Sequence, residues 1–180
     1  MEFMSATIIS FLSDKHLKEV REIFFESSSR KIFEDEKARE AFFEKYLGYY
    51  LLRFPELSFV AIEDNRVLGY VVASPVSDDE GLYILQPHLK QFKSYFKQFP
   101  AHLHINCHHS TRGQGIGTRL IDALVERLKE RDINGLHIMT GVNSENRSFY
   151  RKLGFNFETA EEFQGAAILF MGKAIEVNSL

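Results

Sequence analysis

The sequence predicts one mixed α/β (α+β) domain in which a central, mostly antiparallel sheet is flanked by helices. Segments with apolar residues at alternate positions, typical of strands, are interspersed with segments whose apolar residues recur every three or four positions, typical of helices. Two pairs of strand-like segments are joined by short turns, which favours hairpins. The 180 residues are most simply a single domain, 1–180, long enough to bury a substantial core.

The first part of the chain predicts a strand, two helices and a hairpin. Serine and aspartate favour helix starts, a serine run and a Phe-Pro pair favour helix ends, and an Asp-Asn pair between two apolar runs favours a tight turn. The expected elements are a strand over 7–12, a helix capped by Ser13 or Asp14 and ended by the serines at 27–29, a helix from about Asp35 to Arg53, and strands over 58–63 and 67–74 joined through Asp64, Asn65 and Arg66.

A further helical segment is predicted at about 85–99, after a polar loop over 77–81. Its apolar residues recur at spacings of three, three, one and three, and Pro100 ends the run. These residues are Leu89, Phe92, Tyr95, Phe96 and Phe99. The segment is a candidate for the wall of a substrate pocket, although it can equally cover the core or mediate dimerisation.

The stretch 101–128 combines a strand, a glycine-rich turn and a helix. Polar and apolar residues alternate from His102 to Cys107, which is strand periodicity, and glycines follow at 113, 115 and 117. The apolar face of the helix comprises Ile116, Leu120, Ile121, Leu124 and Leu128.

The last part of the chain predicts three more strands and a short helix. Glycines mark the expected helix ends because they adopt left-handed backbone conformations readily. The expected features are a helix C-cap at Asn134-Gly135, a strand over 136–140, a short helix within 143–153 ended by Gly154, and strands over 155–163 and 166–173 around Gln164-Gly165.

The glycine-rich turn predicts an anion-binding site. The first amides of a helix have no partner within the helix and carry partial positive charge, so they favour a phosphate. Arg112 adds a fixed positive group beside the turn. A P-loop is excluded because no lysine lies between Arg112 and Lys129, and a dinucleotide fingerprint is excluded because Thr118 and Leu120 stand where its third glycine would be.

Two motifs resemble those of the GNAT N-acetyltransferase superfamily. The first is Arg-x-x-Gly-x-Gly, here Arg112, Gly115 and Gly117, and the second is the block from Asn143 to Phe155 with Phe149-Tyr150 and Lys152-Leu153-Gly154-Phe155. They stand in the family's order, and the resemblance covers roughly 58–173. It implies a sheet that is splayed near the fourth and fifth strands and acetyl-CoA as the co-substrate.

The resemblance also implies roles for individual residues. The backbone around Asn106 and Cys107 would meet the pantetheine arm and the acetyl carbonyl, the turn would hold the pyrophosphate, and Asn143 would bind coenzyme or order its loop. Tyr150 would protonate the leaving thiolate, since a phenol keeps its proton at neutral pH. The implied coenzyme-binding residues are Asn106, Cys107, Arg112, Gly113, Gln114, Gly115, Ile116, Gly117, Thr118 and Asn143.

The general base is expected on the fourth strand. His102, His104 and Asn106 share one face of it, and imidazole has the side-chain pKa nearest neutrality. A subset of the superfamily, which is similar to the acetyltransferase-like domain of O-GlcNAcase, has a similar His-Leu-His-Ile stretch commonly followed by an acidic residue, where this chain has Asn106. His104 is therefore the first candidate and His102 the second, and either can instead be a structural histidine.

No metal site is expected. A cluster of His102, His104, His108 and His109 is conceivable, but no acidic or thiolate ligand set supports it. Cys107 shares the apolar face of its strand and is expected to be a small core residue rather than a nucleophile.

Composition and charge narrow the classes of partner and the cellular compartment to be expected. The net charge of −3 and a pI near 6.2 give no reason to expect nucleic-acid binding. One cysteine fits a reducing compartment, and neither a signal peptide nor a membrane span is evident, so a cytoplasmic protein is expected. The predicted function is direct acetyl transfer from acetyl-CoA to a primary amine of a small molecule or peptide, with a homodimer allowed. The alternative is a non-catalytic module that binds acyl-CoA or a protein partner.

Overall fold

We describe residues 6–10 and 14–177 of a computed structural model of the chain. Their strands are β1 (Thr7–Ser10), β2 (Phe59–Glu63), β3 (Arg66–Ser74), β4 (Ala101–Cys107), β5 (Gly135–Gly141), β6 (Phe157–Phe163) and β7 (Ala166–Ala174). Their α-helices are α1 (Asp14–Ser27), α2 (Glu36–Phe43), α3 (Tyr49–Arg53), α4 (Glu80–Leu85), α5 (Ile116–Lys129) and α6 (Arg147–Lys152). Of the first predicted strand, residues 11 and 12 lie outside the described residues, as does the cap candidate Ser13.

The described strands form one seven-stranded sheet in the order β1-β2-β3-β4-β5-β7-β6. The pairings of β1 with β2, β2 with β3, β5 with β7 and β6 with β7 are antiparallel, whereas β4 pairs with β5 in parallel. The predicted mixed α/β class with a mostly antiparallel sheet is therefore confirmed. Ala101 of β4 pairs with Leu136 of β5, and His102 pairs with His137. That the two strands splay apart beyond these pairs stays a prediction.

The chain forms two compact units. The first contains the described residues up to Ala73 together with His104–Glu126, and the second contains Ser74–Leu103 with the described residues from Arg127 onward. Strand β4 and helix α5 therefore each contribute residues to both units. The prediction of one domain over 1–180 stays a prediction.

The first unit is built on the β2–β3 hairpin and the helices α1, α2 and α3. Asp64 and Asn65 connect the two strands with φ angles of 48° and 62°, the left-handed pair that a two-residue hairpin turn requires. Arg66, predicted in the turn, is the first residue of β3. The core of the first unit consists mainly of aromatic and aliphatic side chains: Phe24, Phe43, Leu47, Tyr50, Val60, Tyr70, Val71, Leu120 and Leu124.

The predicted helix from Asp35 to Arg53 is confirmed, with an irregularity that the sequence pattern does not reveal. Asp35 caps it by accepting a hydrogen bond from the Ala38 amide at 2.7 Å. Between α2 and α3 the helix widens into a π-helical turn over Glu44–Gly48. Such turns add one residue and re-aim the following side chains, and they are frequent at functional sites. This one carries Tyr46.

The second unit surrounds the β5–β7–β6 sheet. The predicted segment at 85–99 is helical, but it is a 3₁₀ helix over Pro87–Tyr95, preceded by α4, whose first two residues were predicted in the polar loop over 77–81. Its Phe92 ring stacks on Phe170 of β7 at 5.3 Å. The segment thus covers the core of this unit, which was one of the roles left open for it. Buried apolar members of this core include Leu82, Leu89, Phe92, Phe99, Ile138, Phe155 and Phe170.

The end of α5 differs from the prediction. The C-cap is not at Asn134-Gly135: Asp132 adopts the left-handed conformation, with φ of 56°, and the amides of Asp132 and Ile133 donate to the carbonyls of Lys129 and Leu128. This is a Schellman arrangement, which an aspartate tolerates better than most residues. Gly135 lies in β5 for another reason, because a Cβ there would stand 2.1 Å from the Gln98 carbonyl oxygen.

Candidate active site

The glycine-rich turn links β4 to α5 as predicted. After β4 the chain makes one 3₁₀ turn over His109–Thr111, and Gly113 and Gly115 then adopt φ angles of 77° and 76°. Any other residue would be strained in this left-handed conformation. A Cβ at either glycine would meet no described atom within 4 Å. Backbone conformation, rather than packing, therefore requires the glycines, and the space over them is open to a ligand.

The first turn of α5 presents its amides at this opening. The helix begins at Ile116, and the backbone amide of Arg119 donates to the Gly115 carbonyl at 3.1 Å, so the amides before it precede the helical hydrogen-bond ladder. Arg112 and Gln114 are exposed. The turn therefore offers backbone donors, the positive end of a helix dipole and a guanidinium group to an anion.

Serine, aromatic and strand side chains line a cavity of about 260 Å³ in the first unit. Helix α1 and the loop after it contribute the serine wall, α2 and the π turn contribute aromatic rings, and β3 and β4 contribute polar groups. The lining residues are Phe24, Ser27, Ser28, Ser29, Phe42, Tyr46, Tyr70, His104 and Asn106. The cavity thus brings a predicted base candidate, His104, together with an apolar surface and several hydroxyl groups.

His104 contacts two tyrosines, Tyr46 of the π-helical turn and Tyr50 of α3. Its Nε2 lies 3.1 Å from the hydroxyl of Tyr50, which is fully buried, and the Tyr46 ring approaches it edge-on at 5.8 Å between centroids. When Nε2–H donates to Tyr50, the imidazole keeps its lone pair on Nδ1. A neutral, oriented imidazole of this kind is suited to accept a proton.

Asn106 is engaged by a tyrosine that the sequence analysis did not single out. Its Nδ2 donates to the hydroxyl of Tyr70 at 2.7 Å. Burial raises the pKa of Tyr70 well above its ordinary value of 10, although the hydrogen bond from Asn106 opposes the shift. The phenol therefore keeps its proton at neutral pH, and the pair forms a neutral polar patch on the cavity wall.

Cys107 has a structural environment. Burial raises the pKa of its thiol to about 11, which leaves almost none of it as the reactive thiolate at neutral pH. A Cβ on Gly69 of β3 would stand 2.9 Å from its sulfur. The half-buried cysteine thus packs against the bare backbone of the neighbouring strand, and its expected role as a small core residue stays a prediction.

His102, the second base candidate, lies in the second unit and is buried. Only 1% of its surface is exposed, and its ring stacks on that of His137 with centroids 4.9 Å apart and planes 3° from parallel. His137 in turn places Nδ1 2.7 Å from the Phe99 carbonyl oxygen. This environment favours a structural role for His102, and His104 is the better placed of the two to reach a substrate.

Tyr150 and Asn143 also lie in the second unit. Tyr150 is buried in α6 and contacts Phe155 edge-on, whereas Asn143 is exposed in the turn after β5. Two arginines of α6, Arg147 and Arg151, both bind the carboxylate of Glu158 on β6, and the second does so at 2.6 and 2.9 Å. These hydrogen bonds hold the pKa of Glu158 down to about 2. Helix α6 is thereby fixed to the sheet edge beside it.

Comparisons with known proteins agree on one family. The family model described as "Acetyltransferase (GNAT) family" matches residues 17–155. A curated relative, N-alpha-acetyltransferase 30 of Schizosaccharomyces pombe (strain 972 / ATCC 24843), is 30% identical over 115 residues, which are 63% of this chain and 67% of that protein.

Solved structures share the fold. The crystal structure of SsHAT matches with a TM-score of 0.75 and 20% identity, covering 96% of this chain and 99% of that chain. The crystal structure of the NatC complex bound to Gag peptide and CoA matches with a TM-score of 0.65 and 13% identity, covering 96% of this chain and 100% of the other. No helix among the described residues is long and apolar enough to cross a membrane.

Proposed function

The chain belongs to the acetyltransferase (GNAT) family, whose co-substrate is acetyl-CoA, and from this premise we propose that it is an N-acetyltransferase that moves the acetyl group directly to a primary amine. The α-amino group of a peptide is the preferred acceptor in this proposal. The name of the yeast relative, N-alpha-acetyltransferase 30, supports that choice, and a small-molecule amine is the other acceptor class.

One observation carries the proposal: His104 lies in the wall of a cavity and belongs to the strand that continues into the glycine turn. The Tyr50 hydroxyl at 3.1 Å orients its ring, and the cavity is large enough for the end of a peptide but not for a folded segment. In this proposal His104 is the proton acceptor, and it stands eight positions before Arg112 in the turn that we assign to the pyrophosphate of acetyl-CoA. Acetyl transfer needs both functions close together in the fold.

The proposed reaction has three proton and charge requirements. A protonated amine must first lose one proton to solvent, and the neutral nitrogen must give up a second proton as it attacks the thioester; His104 Nδ1 accepts this second proton directly or through a water molecule. The nitrogen then forms a bond to the acetyl carbon, and the oxyanion that develops is stabilised by backbone amides around Asn106 and Cys107. The oxyanion re-forms the carbonyl as the carbon–sulfur bond breaks, and the thiolate receives a proton from Tyr150, the residue that the family pattern assigns to this step; the phenolate then regains a proton from solvent.

The test combines binding and turnover. Arg112→Ala should weaken binding of CoA by about 10- to 100-fold, because a charge-assisted phosphate contact contributes about 1.5–3 kcal/mol. The same variant should bind pantetheine, which has no pyrophosphate, as the unmodified protein does. Tyr150→Phe should keep CoA affinity and lose turnover. Titration calorimetry measures the affinities, and thiol release corrected for hydrolysis measures turnover on a panel of peptides and small amines.

A control variant and the choice of amines distinguish an error in the phosphate site from an error in the acceptor. Arg66→Ala removes an exposed arginine of the same unit at the start of β3 and should leave CoA affinity unchanged. An equal loss of CoA affinity in Arg112→Ala and Arg66→Ala would contradict the assigned phosphate site. Turnover of small amines but of no peptide would overturn the preferred acceptor while keeping the enzyme assignment.

A non-catalytic acyl-CoA-binding or protein-interaction module remains the second candidate. Asn106 favours it, because an amide cannot act as a base at the position where an acidic residue commonly stands in the similar subset of the family. Tight CoA binding that Arg112→Ala abolishes, together with absence of turnover on every amine tested, would establish that alternative.

A further inference from the structure

A glutamate and two adjacent histidines, from distant parts of the sequence, meet at the end of α1. Glu26 is in the last turn of that helix, and His108 and His109 follow β4 directly. One carboxylate oxygen of Glu26, Oε2, lies 3.7 Å from His108 Nε2 and 3.9 Å from His109 Nδ1. The three ligand-type atoms all lie within 4.8 Å of one another. The fold thereby supplies the acidic partner that the sequence around the histidines lacks.

These distances suit a shared ion better than direct hydrogen bonds. Both histidine–carboxylate separations exceed hydrogen-bond length. Ligand atoms around a tetrahedral zinc ion, bound at about 2.0–2.1 Å, lie roughly 3.3 Å from one another. Glu26 is 56% and His109 73% exposed at the side chain, so rotamer changes alone can bring the atoms that much closer. Backbone movement is not required.

A hydroxyl group already orients one of the histidines. The Nδ1 atom of His108 lies 2.7 Å from Ser110 Oγ and accepts a longer hydrogen bond from the Ser110 amide at 3.3 Å, which leaves Nε2 directed at Glu26. Binding of a cation at Nε2 requires the tautomer in which Nδ1 carries the proton and donates it to the serine hydroxyl in place of the amide contact. Metal-binding histidines commonly have such a second partner, which fixes the tautomer and the ring plane.

We propose that Glu26, His108 and His109 form a binding site for a divalent cation of the zinc class. The ligand atoms are Glu26 Oε2, His108 Nε2 and His109 Nδ1, with water completing a tetrahedron. Two imidazoles and one carboxylate are a donor set that suits Zn²⁺ and its neighbours in the first transition series, whereas Mg²⁺ and Ca²⁺ favour sites made of oxygen alone.

The site would join two segments that border the predicted acetyl-transfer site. Glu26 directly precedes the serines that line the cavity, and His109 begins the 3₁₀ turn that leads into the glycine turn. A bound ion would therefore fix the end of α1 to the start of the loop that holds Arg112. The proposal does not depend on which acceptor the protein acetylates.

The test uses metal alone and a protein without a histidine tag. After treatment with chelator, the unmodified protein is titrated with Zn²⁺ by calorimetry and with Co²⁺ by visible absorption. Glu26→Gln and His109→Gln remove one ligand each at exposed positions. Glu22→Gln, at an exposed position one turn earlier on the same helix, is the matched control, and His16→Gln, at a half-buried position of α1, is the second control. Thermal unfolding without metal establishes that each variant folds.

Saturable binding of one ion per chain is expected, weakened at least about tenfold in both ligand variants and unchanged in both controls. Loss of even an outer-shell partner commonly costs about 10- to 100-fold in affinity. The Co²⁺ complex should have the intense visible bands of four-coordination and no thiolate charge-transfer band. Ser110→Ala should weaken binding less than either ligand variant. Absence of saturable binding, binding that survives both ligand variants, or loss of binding in Cys107→Ser would each overturn the proposal.

Discussion

At the scale of single residues, the base is the assignment that depends most on the fold. Sequence alternation places His102, His104 and Asn106 on one face of β4 and does not rank the two histidines by accessibility. The structure separates them by their surroundings: His102 is buried against His137, whereas His104 lines a cavity and is oriented by Tyr50. Accessibility to substrate, rather than position on the strand face, therefore favours His104.

His104→Gln should lower kcat by about 10²–10⁴-fold, the usual contribution of a positioned general base, with little change in the KM for acetyl-CoA. The pH profile gives the more specific readout. An imidazole accepts a proton only when neutral, so kcat/KM of the unmodified enzyme should fall as the pH is lowered. Steady-state kinetics between pH 5.5 and 9 should show this limb flattened in the variant.

Tyr50→Phe provides the control, because it removes the orienting hydroxyl and keeps the imidazole. It should cost less activity than His104→Gln and should preserve the acid limb. Unchanged kcat and an unchanged acid limb in His104→Gln would move the role of base to His102 or another group.

The roles of Tyr50 and Tyr70 were not predictable from their positions. Tyr50 belongs to the predicted helix from Asp35 to Arg53 and is fully buried. Its hydroxyl nevertheless reaches His104 on a strand 54 positions away. Contacts of this length depend on how elements pack, and no local periodicity encodes them.

At the scale of elements, helix α6 depends on the carboxylate that its two arginines share. Glu158→Gln should lower the free energy of unfolding at pH 7 by about 1 kcal/mol, a value at the upper end for exposed ion pairs because two guanidinium groups share one acceptor. The pKa of Glu158 is depressed from 4.5 to about 2 in the folded chain. Its contribution is therefore complete above pH 5 and is lost as the pH falls toward 2.

Urea unfolding at pH 7, 4.5 and 3.5 measures this dependence. The difference between the unmodified protein and Glu158→Gln should narrow at the two lower values, since the unfolded chain binds the proton first. Glu161→Gln on the same strand is the matched control and should show no such narrowing. A difference that is constant with pH would mean that packing, rather than charge, explains the effect of the substitution.

Glycines illustrate what the sequence can and cannot predict about elements. At 113 and 115 the glycines of the predicted turn adopt positive φ angles, a conformation that glycine favours. At Gly135 the same reasoning predicted a helix end, and it was wrong because the glycine admits the backbone at Gln98 and Phe99. Left-handed conformation and close approach both select glycine, and only the three-dimensional neighbours distinguish them.

At the scale of the whole molecule, signals that are local in the sequence were enough to predict most of the architecture. Hairpin turns, helix caps and periodicity predicted every described strand and the order of the main helices. The contacts between Glu26 and the two histidines have no such signal, because 82 residues separate Glu26 from His108. The expectation of no metal site rested on the absence of a nearby carboxylate in the sequence, and folding supplies one.

The two proposed ligands make a joint prediction for stability. Acetyl-CoA at 100 times its Kd should stabilise the folded chain by about 2.7 kcal/mol, which for a protein of this size corresponds to roughly 5–10 °C in Tm. Zn²⁺ at a comparable excess should also raise Tm. Since separate residues bind the two ligands, Arg112→Ala should lose most of the acetyl-CoA shift and keep the Zn²⁺ shift, whereas Glu26→Gln should do the reverse.

Thermal scans of the three proteins with each ligand test both sites at once. Retention of the acetyl-CoA shift in Arg112→Ala would contradict the pyrophosphate assignment, and retention of the Zn²⁺ shift in Glu26→Gln would contradict the metal site, so each proposal can fail without the other.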